Sequence, residues 1–352
     1  MPSIAVVPGD GIGIEVSREA TKVLERATEI FGLDLELDHW DLGAERYLRD
    51  GVAITDAEFG TLTEDRDAIL LGALGDPRVE DQAYVRDILL GLRFKLDLYI
   101  NYRPCTLLDP SLCPLKEVPA DGIHLDIFRE NTEGPYLNLG GVLREGTADE
   151  VAIQESVNTH HGVERIVRAA LQYAQEKNRP SVTLVDKANA MPVEGGLWRR
   201  VFDEVARDYP EVARRTMYVD AMAMDLIRRP EQYSVLVTSN LFGDIISDLA
   251  AELTGGLGLA PSANVHPGRH ALFEPVHGSA PDIAGTGTAN PLGAIRCTSL
   301  LLDHFGYGEA AGAVETAVAR SIEEHQTTVD LGGSRSTREV GEWICDHLDE
   351  MG

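Results

Sequence analysis

A pair of acids offers the first chemistry. In Ser239-Asn240-Leu241-Phe242-Gly243-Asp244-Ile245-Ile246-Ser247-Asp248, a β-rich stretch gives way to helical spacing, so Asp244 and Asp248 stand one turn apart on one face. Like charges at i and i+4 repel and cost a helix roughly 0.2–0.5 kcal/mol. A hard divalent cation such as Mg2+ or Mn2+, which prefers carboxylate oxygens, turns that cost into binding. Taken alone, the pair reads more readily as a solvated helix face, or as first-turn acids favoured by the helix dipole.

Arginines in apolar settings come next. Arg93 follows Ile88-Leu89-Leu90-Gly91-Leu92, Arg103 lies in Asn101-Tyr102-Arg103-Pro104, and Arg129 ends a strand-like run from Ile123 to Phe128. Guanidinium forks bind carboxylates in a bidentate manner, although each Arg alone could serve a structural ion pair. Tyr136 follows shortly after Arg129-Glu130-Asn131-Thr132-Glu133-Gly134-Pro135. Lys187, in Asp186-Lys187-Ala188-Asn189, sits at the carboxyl end of the strand-like Ser181–Val185, where α/β active sites lie. Beside a metal and several guanidinium groups it would serve as a general base. Finally, Phe273-Glu274-Pro275-Val276-His277-Gly278-Ser279-Ala280-Pro281-Asp282-Ile283-Ala284-Gly285, continuing to Asn290, is a loop small enough for a nucleotide to approach its backbone. Asp282 there could accept the ribose hydroxyls of NAD and repel a 2′-phosphate. Gly9-Asp10-Gly11-Ile12-Gly13 is not the G-x-G-x-x-G fingerprint and reads as a tight turn.

Alternating strand and helix patterns must position these residues, which argues an α/β fold. Strands are expected at Ile4–Val7, Leu35–Asp38, Ala68–Leu71, Ile123–Phe128, Ser181–Val185 and Tyr233–Thr238. Helices are expected at about Glu15–Phe31, Asn158–Glu176, Gly196–Tyr209, Pro291–Phe305 and Gly308–His325. The Gly-rich, alternating stretch from Tyr136 to Ile153 suggests an extended arm that could reach a partner subunit. No repeat or low-complexity linker divides the chain, so two domains sharing it discontinuously are expected: 1–99 plus 255–352, the larger and nucleotide-binding, and 100–254, with the metal site, the arm at about 136–153 and the dimer interface.

Composition narrows the partners. A net charge of −27 opposes nucleic acid and anionic membranes, so neither is expected. Of 31 basic residues only five are Lys, so local clusters of Arg must hold any anionic substrate. No basic n-region opens the chain, and no apolar run approaches the roughly 18–20 residues of a membrane span. Four cysteines without CxxC spacing fit a reducing cytoplasm.

In this order, Pro8-Gly9-Asp10-Gly11-Ile12-Gly13, Leu92-Arg93 with Asn101–Pro104, Arg129–Gly134, Lys187 with Asn189, Ser239–Asp244 and Glu274–Asn290 resemble the β-decarboxylating dehydrogenases of isopropylmalate, isocitrate, homoisocitrate, tartrate and D-malate. The resemblance spans residues 3 to about 347. It implies the open α/β fold of that family, in two domains, distinct from a classical Rossmann fold. It also implies a cytoplasmic homodimer whose subunits share each active site, acting on a small dicarboxylate. Arg93, Arg103 and Arg129 would clamp the two carboxylates of a malate core. Asp220, from the other subunit, would join Asp244 and Asp248 on Mg2+ or Mn2+ and lie against the substrate. Lys187, also from the other subunit, would take the hydroxyl proton, a hydride would pass to NAD, CO2 would leave, and Tyr136 would protonate the enolate. Glu274, His277, Gly278, Ser279, Ala280, Asp282, Ile283 and Asn290 would form the cofactor loop. NAD is favoured over NADP because phosphate-selective members carry Lys-Tyr at Asp282-Ile283.

Within the family, Leu89 and Leu90 suit an isopropyl group by apolar burial, at roughly 0.8 kcal/mol per CH2. The expected reaction is oxidative decarboxylation of (2R,3S)-3-isopropylmalate to 2-oxo-isocaproate, in leucine biosynthesis. Arg86, Tyr102 and the Leu259–Asn264 stretch depart from the usual isopropylmalate pattern. A tartrate, D-malate, isocitrate-like or secondary-metabolism paralogue is therefore the alternative. A non-catalytic regulatory subunit should have lost part of the set, yet Tyr136, Lys187, Asp220, Asp244, Asp248 and the three Arg are all present.

Overall fold

The structure is a computed structural model, in which residues 1–80, 82–119 and 122–350 are described. Its strands, in chain order, are β1 (Ser3–Val7), β2 (Glu36–His39), β3 (Ala68–Leu71), β4 (Ile100–Thr106), β5 (His124–Glu130), β6 (Gly140–Leu143), β7 (Val151–Gln154), β8 (Ser181–Asp186), β9 (Ala213–Tyr218), β10 (Val235–Thr238), β11 (Pro261–His266) and β12 (His270–Pro275). Every residue of β3, β8 and β10 is buried. Such continuously buried runs mark strands of a parallel sheet covered on both faces.

The chain divides into two compact units. Unit 1 comprises Met1–Leu98, Thr106–Val118 and Ala251–Gly352. Its strands run in the order β2-β1-β3-β12-β11, parallel except for the antiparallel hairpin β11/β12. The helix Ile12–Ile30 buries Val16, Ala20, Val23, Leu24 and Ala27, one apolar stripe at helical spacing, and packs on the helices Leu292–His304 and Thr337–Asp349. The segment Thr106–Val118, assigned from the sequence to the second domain, lies in this unit.

Unit 2 comprises Tyr99–Cys105 and Pro119–Ala250. Here the order is β4-β5-β10-β8-β9, with β5, β10, β8 and β9 parallel neighbours. The helix His160–Glu176 packs on β5 and β10. It begins where the Thr159 side chain accepts the Gly162 N–H, an N-cap. Among the described residues β6 and β7 pair only with each other, as an exposed antiparallel ribbon.

Most expected elements are present within a few residues of their sequence-derived bounds. The helix expected from Gly196 begins at Pro192, because proline's missing N–H is no loss in a first turn. The hairpin β11/β12, the strand β9 and the helix Thr337–Asp349 were not foreseen. Among the described residues no helix is long and apolar enough to cross a membrane.

The Gly9–Gly13 turn is a clasp. The buried Asp10 carboxylate accepts the N–H of Ala44 at 2.7 Å, the N–H of Gly75 at 2.8 Å and the hydroxyl of Tyr84 at 2.7 Å. Two residues on, the Ile12 N–H donates to the Ser279 carbonyl at 2.8 Å, tying this turn to the loop in which the sequence places a cofactor. Hydrogen bonds to a charged acceptor contribute more than neutral ones, and their buried donors would be orphaned by truncation. Asp10→Ala is expected to destabilise the chain by about 2–4 kcal/mol, read as a lower urea midpoint; a change below about 0.5 kcal/mol would show that the clasp is dispensable.

Candidate active site

In unit 2 the site grows from the middle of β4 and the carboxyl ends of β5 and β10. Arg129, the penultimate residue of β5, is 2% exposed and needs a compensating charge. The helix Asn240–Leu253, which follows β10, supplies it. Arg129 Nε and Nη2 donate to Asn240 Oδ1 at 2.9 and 2.6 Å, and Nη1 donates to Asp244. A Cβ on Gly243 would lie 2.6 Å from Arg129 Cγ, so only glycine lets the guanidinium stem lie against this helix. From β4, Arg103 Nη1 donates to Ser247 Oγ at 2.6 Å and to Asp248 Oδ1 at 3.1 Å, with Nη2 3.6 Å from Asp244 Oδ1. The Tyr136 hydroxyl donates to Asp244 Oδ2 at 3.0 Å, and its ring lies 5.2 Å from Arg129 Cζ. The structure thus gathers Arg103, Arg129, Tyr136, Asp244 and Asp248 into one cluster.

Electrostatics within the cluster follow from burial and charge. Burial, reinforced by Asp244 and opposed by Arg129, pushes the Tyr136 hydroxyl above its usual pKa. Burial likewise pushes the Asp248 carboxyl up, with Arg103 opposing and Asp244 adding to the shift. Asp244 and Asp248 keep 37% and 51% of their side-chain surface exposed. Two hard oxygen donors one helical turn apart, still open on one side, fit Mg2+ or Mn2+. Asp220 does not join them: among the described residues no group of three or more His, Cys, Asp or Glu is placed to hold a metal. Asp220 instead lies at the start of the helix Val219–Arg228, with Lys187 Nζ 2.5 Å from its Oδ1. The Lys187 hydrogen bond holds that carboxyl below the usual range.

The sequence motif around Arg129 holds two acids that play a structural part. Glu130 is buried and pushed up to about 7, chiefly by burial. It accepts the Thr132 N–H and hydroxyl at 2.9 and 2.8 Å and the Glu133 N–H at 2.8 Å, closing the turn that leads to Tyr136. Glu133 accepts the Thr159 N–H and hydroxyl at 2.8 and 2.5 Å, and its carbonyl takes the Asn240 side-chain amide at 3.0 Å. The spacing Arg-Glu-Asn-Thr-Glu-Gly was visible in the sequence, but its long-range partners were not.

Unit 1 holds the remaining candidates. Arg93 is buried in the helix Gly91–Lys95, and its Nη2 donates to Glu274 Oε1 at 2.6 Å, where Asn264 Nδ2 also donates at 2.8 Å. That helix follows a π-helical turn, Arg86–Leu90, in which the Gly91 N–H reaches back to the Arg86 carbonyl. Leu89 packs against the unit 1 core, and Leu90 is half-buried. In the loop Glu274–Asn290, burial lowers the His277 pKa and favours the neutral ring, whose Nδ1 lies 3.0 Å from the Gly278 carbonyl. Gly278 and Asp282 are exposed, while Ser279, Ala280 and Ile283 are half-buried. The Ile283 N–H closes a turn onto the Ala280 carbonyl. Buried Asn290 donates to Asp330 Oδ2 at 2.9 Å and accepts the Leu292 N–H at 3.0 Å. A cleft of about 1270 Å³ borders the loop, lined by Gly11, Glu15, Gly75, Pro281, Ala284 and Gly285 among others. That volume suffices for a nucleotide.

Known proteins share this architecture. A family model described as isocitrate/isopropylmalate dehydrogenase matches residues 3–344. The chain is 46% identical over 351 residues to a 3-isopropylmalate dehydrogenase of Thermobifida fusca, covering 99% of this chain and 98% of that protein. It is also 46% identical over 345 residues to a 3-isopropylmalate dehydrogenase of Streptomyces coelicolor, covering 97% of each. Among solved structures, the isocitrate dehydrogenase of Methylococcus capsulatus superposes with a TM-score of 0.89 at 36% identity, covering 99% of both chains.

Removing one of two clustered carboxylates should cost most of the affinity for a hard cation. Asp248→Asn is expected to weaken Mn2+ binding at least about tenfold, measured by the electron paramagnetic resonance signal of free Mn2+. Unchanged affinity would place the metal elsewhere.

Proposed function

This chain belongs to the isocitrate/isopropylmalate dehydrogenase family, and from that membership we propose that it oxidises and decarboxylates (2R,3S)-3-isopropylmalate to 2-oxo-isocaproate, a step of leucine biosynthesis. The observation that carries the proposal is the gathering of Arg103, Arg129, Tyr136, Asp244 and Asp248 in unit 2. A malate-type dianion needs guanidinium forks held in place despite a net charge of −27. Arg93 and Arg103 each keep a buried Nε–H without a hydrogen-bond partner among the described residues, donors that a carboxylate would satisfy.

Each residue then has a task. Arg103 and Arg129 orient the substrate carboxylates, and Arg93, held by Glu274, is the third carboxylate binder that the family pattern implies. Asp244 and Asp248 hold the divalent cation, with Asp220 of a second copy completing the set. The loop Glu274–Asn290 holds the dinucleotide, with exposed Asp282 favouring the free ribose hydroxyls of NAD over a 2′-phosphate. Bound there, Mg2+ or Mn2+ supplies Lewis-acid polarisation and NAD+ the hydride acceptor. Lys187 takes the proton from the substrate hydroxyl. After CO2 leaves, Tyr136 returns a proton to the enolate carbon; a phenol with a raised pKa is neutral at pH 7 and has that proton to give.

A homodimer is part of the proposal. Lys187 and Asp220 pair away from the metal cluster of their own chain, which suits donation to a second copy. Unit 2 also leaves Val142, Leu143 and Ile153 exposed on the ribbon, Met224 and Ile227 on the helix Val219–Arg228, and Ile245 on the helix Asn240–Leu253. Apolar exposure of this extent fits a self-complementary interface. The four free cysteines suit a cytoplasmic location.

The substituent is assigned to isopropyl because the helix before Arg93 presents Leu89 and Leu90, and because relatives that cover the whole chain bear that name. With NAD+ and Mn2+, the unsubstituted enzyme should release NADH and CO2 in equal amounts from 3-isopropylmalate. Lys187→Met should abolish turnover while the dimer survives on size exclusion. Near-normal kcat in that variant would remove Lys187 from the role of base.

A further inference from the structure

Lys187 and Asp220 come from two different strand ends, yet their charged atoms lie 2.5 Å apart. β8 and β9 are parallel and in register, with Asp186 opposite Tyr218 as the last pair. Lys187 is the next residue after Asp186, and Asp220 lies two beyond Tyr218. Lys187 is partly buried but Asp220 is exposed, and an ion pair open to solvent holds such groups only weakly. Something else must fix the two strand ends.

We propose that Arg199, on the helix Pro192–Val205, is a positioning residue that braces the Lys187–Asp220 pair by gripping Asp186 and Tyr218 at once; this rests on Lys187 being the base. Its Nε and Nη2 donate to the two oxygens of Asp186, at 2.6 and 3.0 Å, in a bidentate fork. The same guanidinium also lies over the Tyr218 ring, Cζ 5.1 Å from its centroid. Asp186 is 4% exposed, so its carboxylate depends on this partner, and its Oδ1 also accepts the Ala188 N–H at 3.1 Å, curling the chain around Lys187. One turn before Arg199, Gly195 faces the same loop: a Cβ there would lie 2.5 Å from Ala188 Cα and Cβ. Backbone contact at Gly195 and the fork at Arg199 therefore seat one face of the helix on the Lys187 loop. The helix is anchored in turn by buried Trp198, whose Nε1 donates to Asn158 Oδ1 at 2.9 Å.

The geometry separates this role from that of a general stabilising ion pair. A stabilising pair affects how much enzyme is folded. A brace on the base affects the chemical step alone, because displacing a reacting group by about 1 Å can cost on the order of 100-fold in rate. Arg199→Met, assayed as folded dimer with saturating NAD+ and Mn2+, should lower kcat by about 10- to 100-fold and leave KM for 3-isopropylmalate within about twofold. The deuterium isotope effect on kcat with 2-deuterated substrate should rise as the proton and hydride steps become limiting. Arg199→Lys, which keeps the cation but loses the fork, should recover part of kcat.

Unchanged kcat in folded Arg199→Met, or a fall matched by rising KM, would overturn the brace. Should that variant fail to fold, Arg199→Lys decides: full kcat overturns the proposal, and a lowered kcat with unchanged KM supports it. Lys187→Met serves as the reference. If it retains turnover, the assignment of the base fails; if it is dead while Arg199→Met is fully active, only the brace fails.

Discussion

A guanidinium buried at the end of a strand must be paired, and Arg129 organises unit 2 around that requirement. An unpaired charge at 2% exposure would cost several kcal/mol. Asn240 and Asp244 meet it from one helix, and Gly243 between them leaves room for the Arg129 stem. The same helix brings Asp248 to Arg103, and the same Asp244 receives the Tyr136 hydroxyl. Asn240 also fastens the turn that carries Tyr136, through the Glu133 carbonyl. Arg103, Arg129, Tyr136, Asp244 and Asp248 are thus held by one connected set of hydrogen bonds. Connected sets of this kind fix side-chain geometry more tightly than separate pairs do.

Charge is arranged on two scales. The chain as a whole is strongly acidic, while Arg103 and Arg129 stand together in one cluster. Arginine suits those places because its planar fork stays charged when buried and matches a carboxylate. Each fork is kept neutral overall by a nearby acid: Glu274 for Arg93, and Asp244 with Asp248 for Arg103 and Arg129. A cation shared by Asp244 and Asp248 would draw their charge away from the arginines, leaving the forks free for the substrate's carboxylates. Metal and dianion would then favour one another at the site.

Much of this was legible in the sequence where the determining signal is local. The run Ala68–Leu71 is the strand β3 to the residue, since four buried aliphatic residues ending at a glycine admit little else. Asp244 and Asp248 share a helix face because i and i+4 always do. Long-range pairings were not legible. Nothing near Arg93 announces Glu274, 181 positions away, and Asp186 meets Tyr218 only once β8 and β9 pair in register. For that reason Arg199 drew no attention as one arginine among many. The hairpin β11/β12 was hidden by flanking Gly/Pro-rich sequence, and its pairing depends on β3. Asp220 and the role proposed for Lys187 rest only on resemblance to a family, because neither carries a local motif.

The substituent on the malate core rests on Leu89 and Leu90, and Leu89 is already committed to packing against the unit 1 core. Initial rates with NAD+ and Mn2+ on malates bearing isopropyl, carboxymethyl, hydroxyl or no group at the third carbon test the assignment most directly. Burying the three carbons of an isopropyl group at roughly 0.8 kcal/mol each should give it at least about a tenfold advantage in kcat/KM over unsubstituted D-malate. Equal kcat/KM for D-malate, or a preference for isocitrate or tartrate, would contradict it.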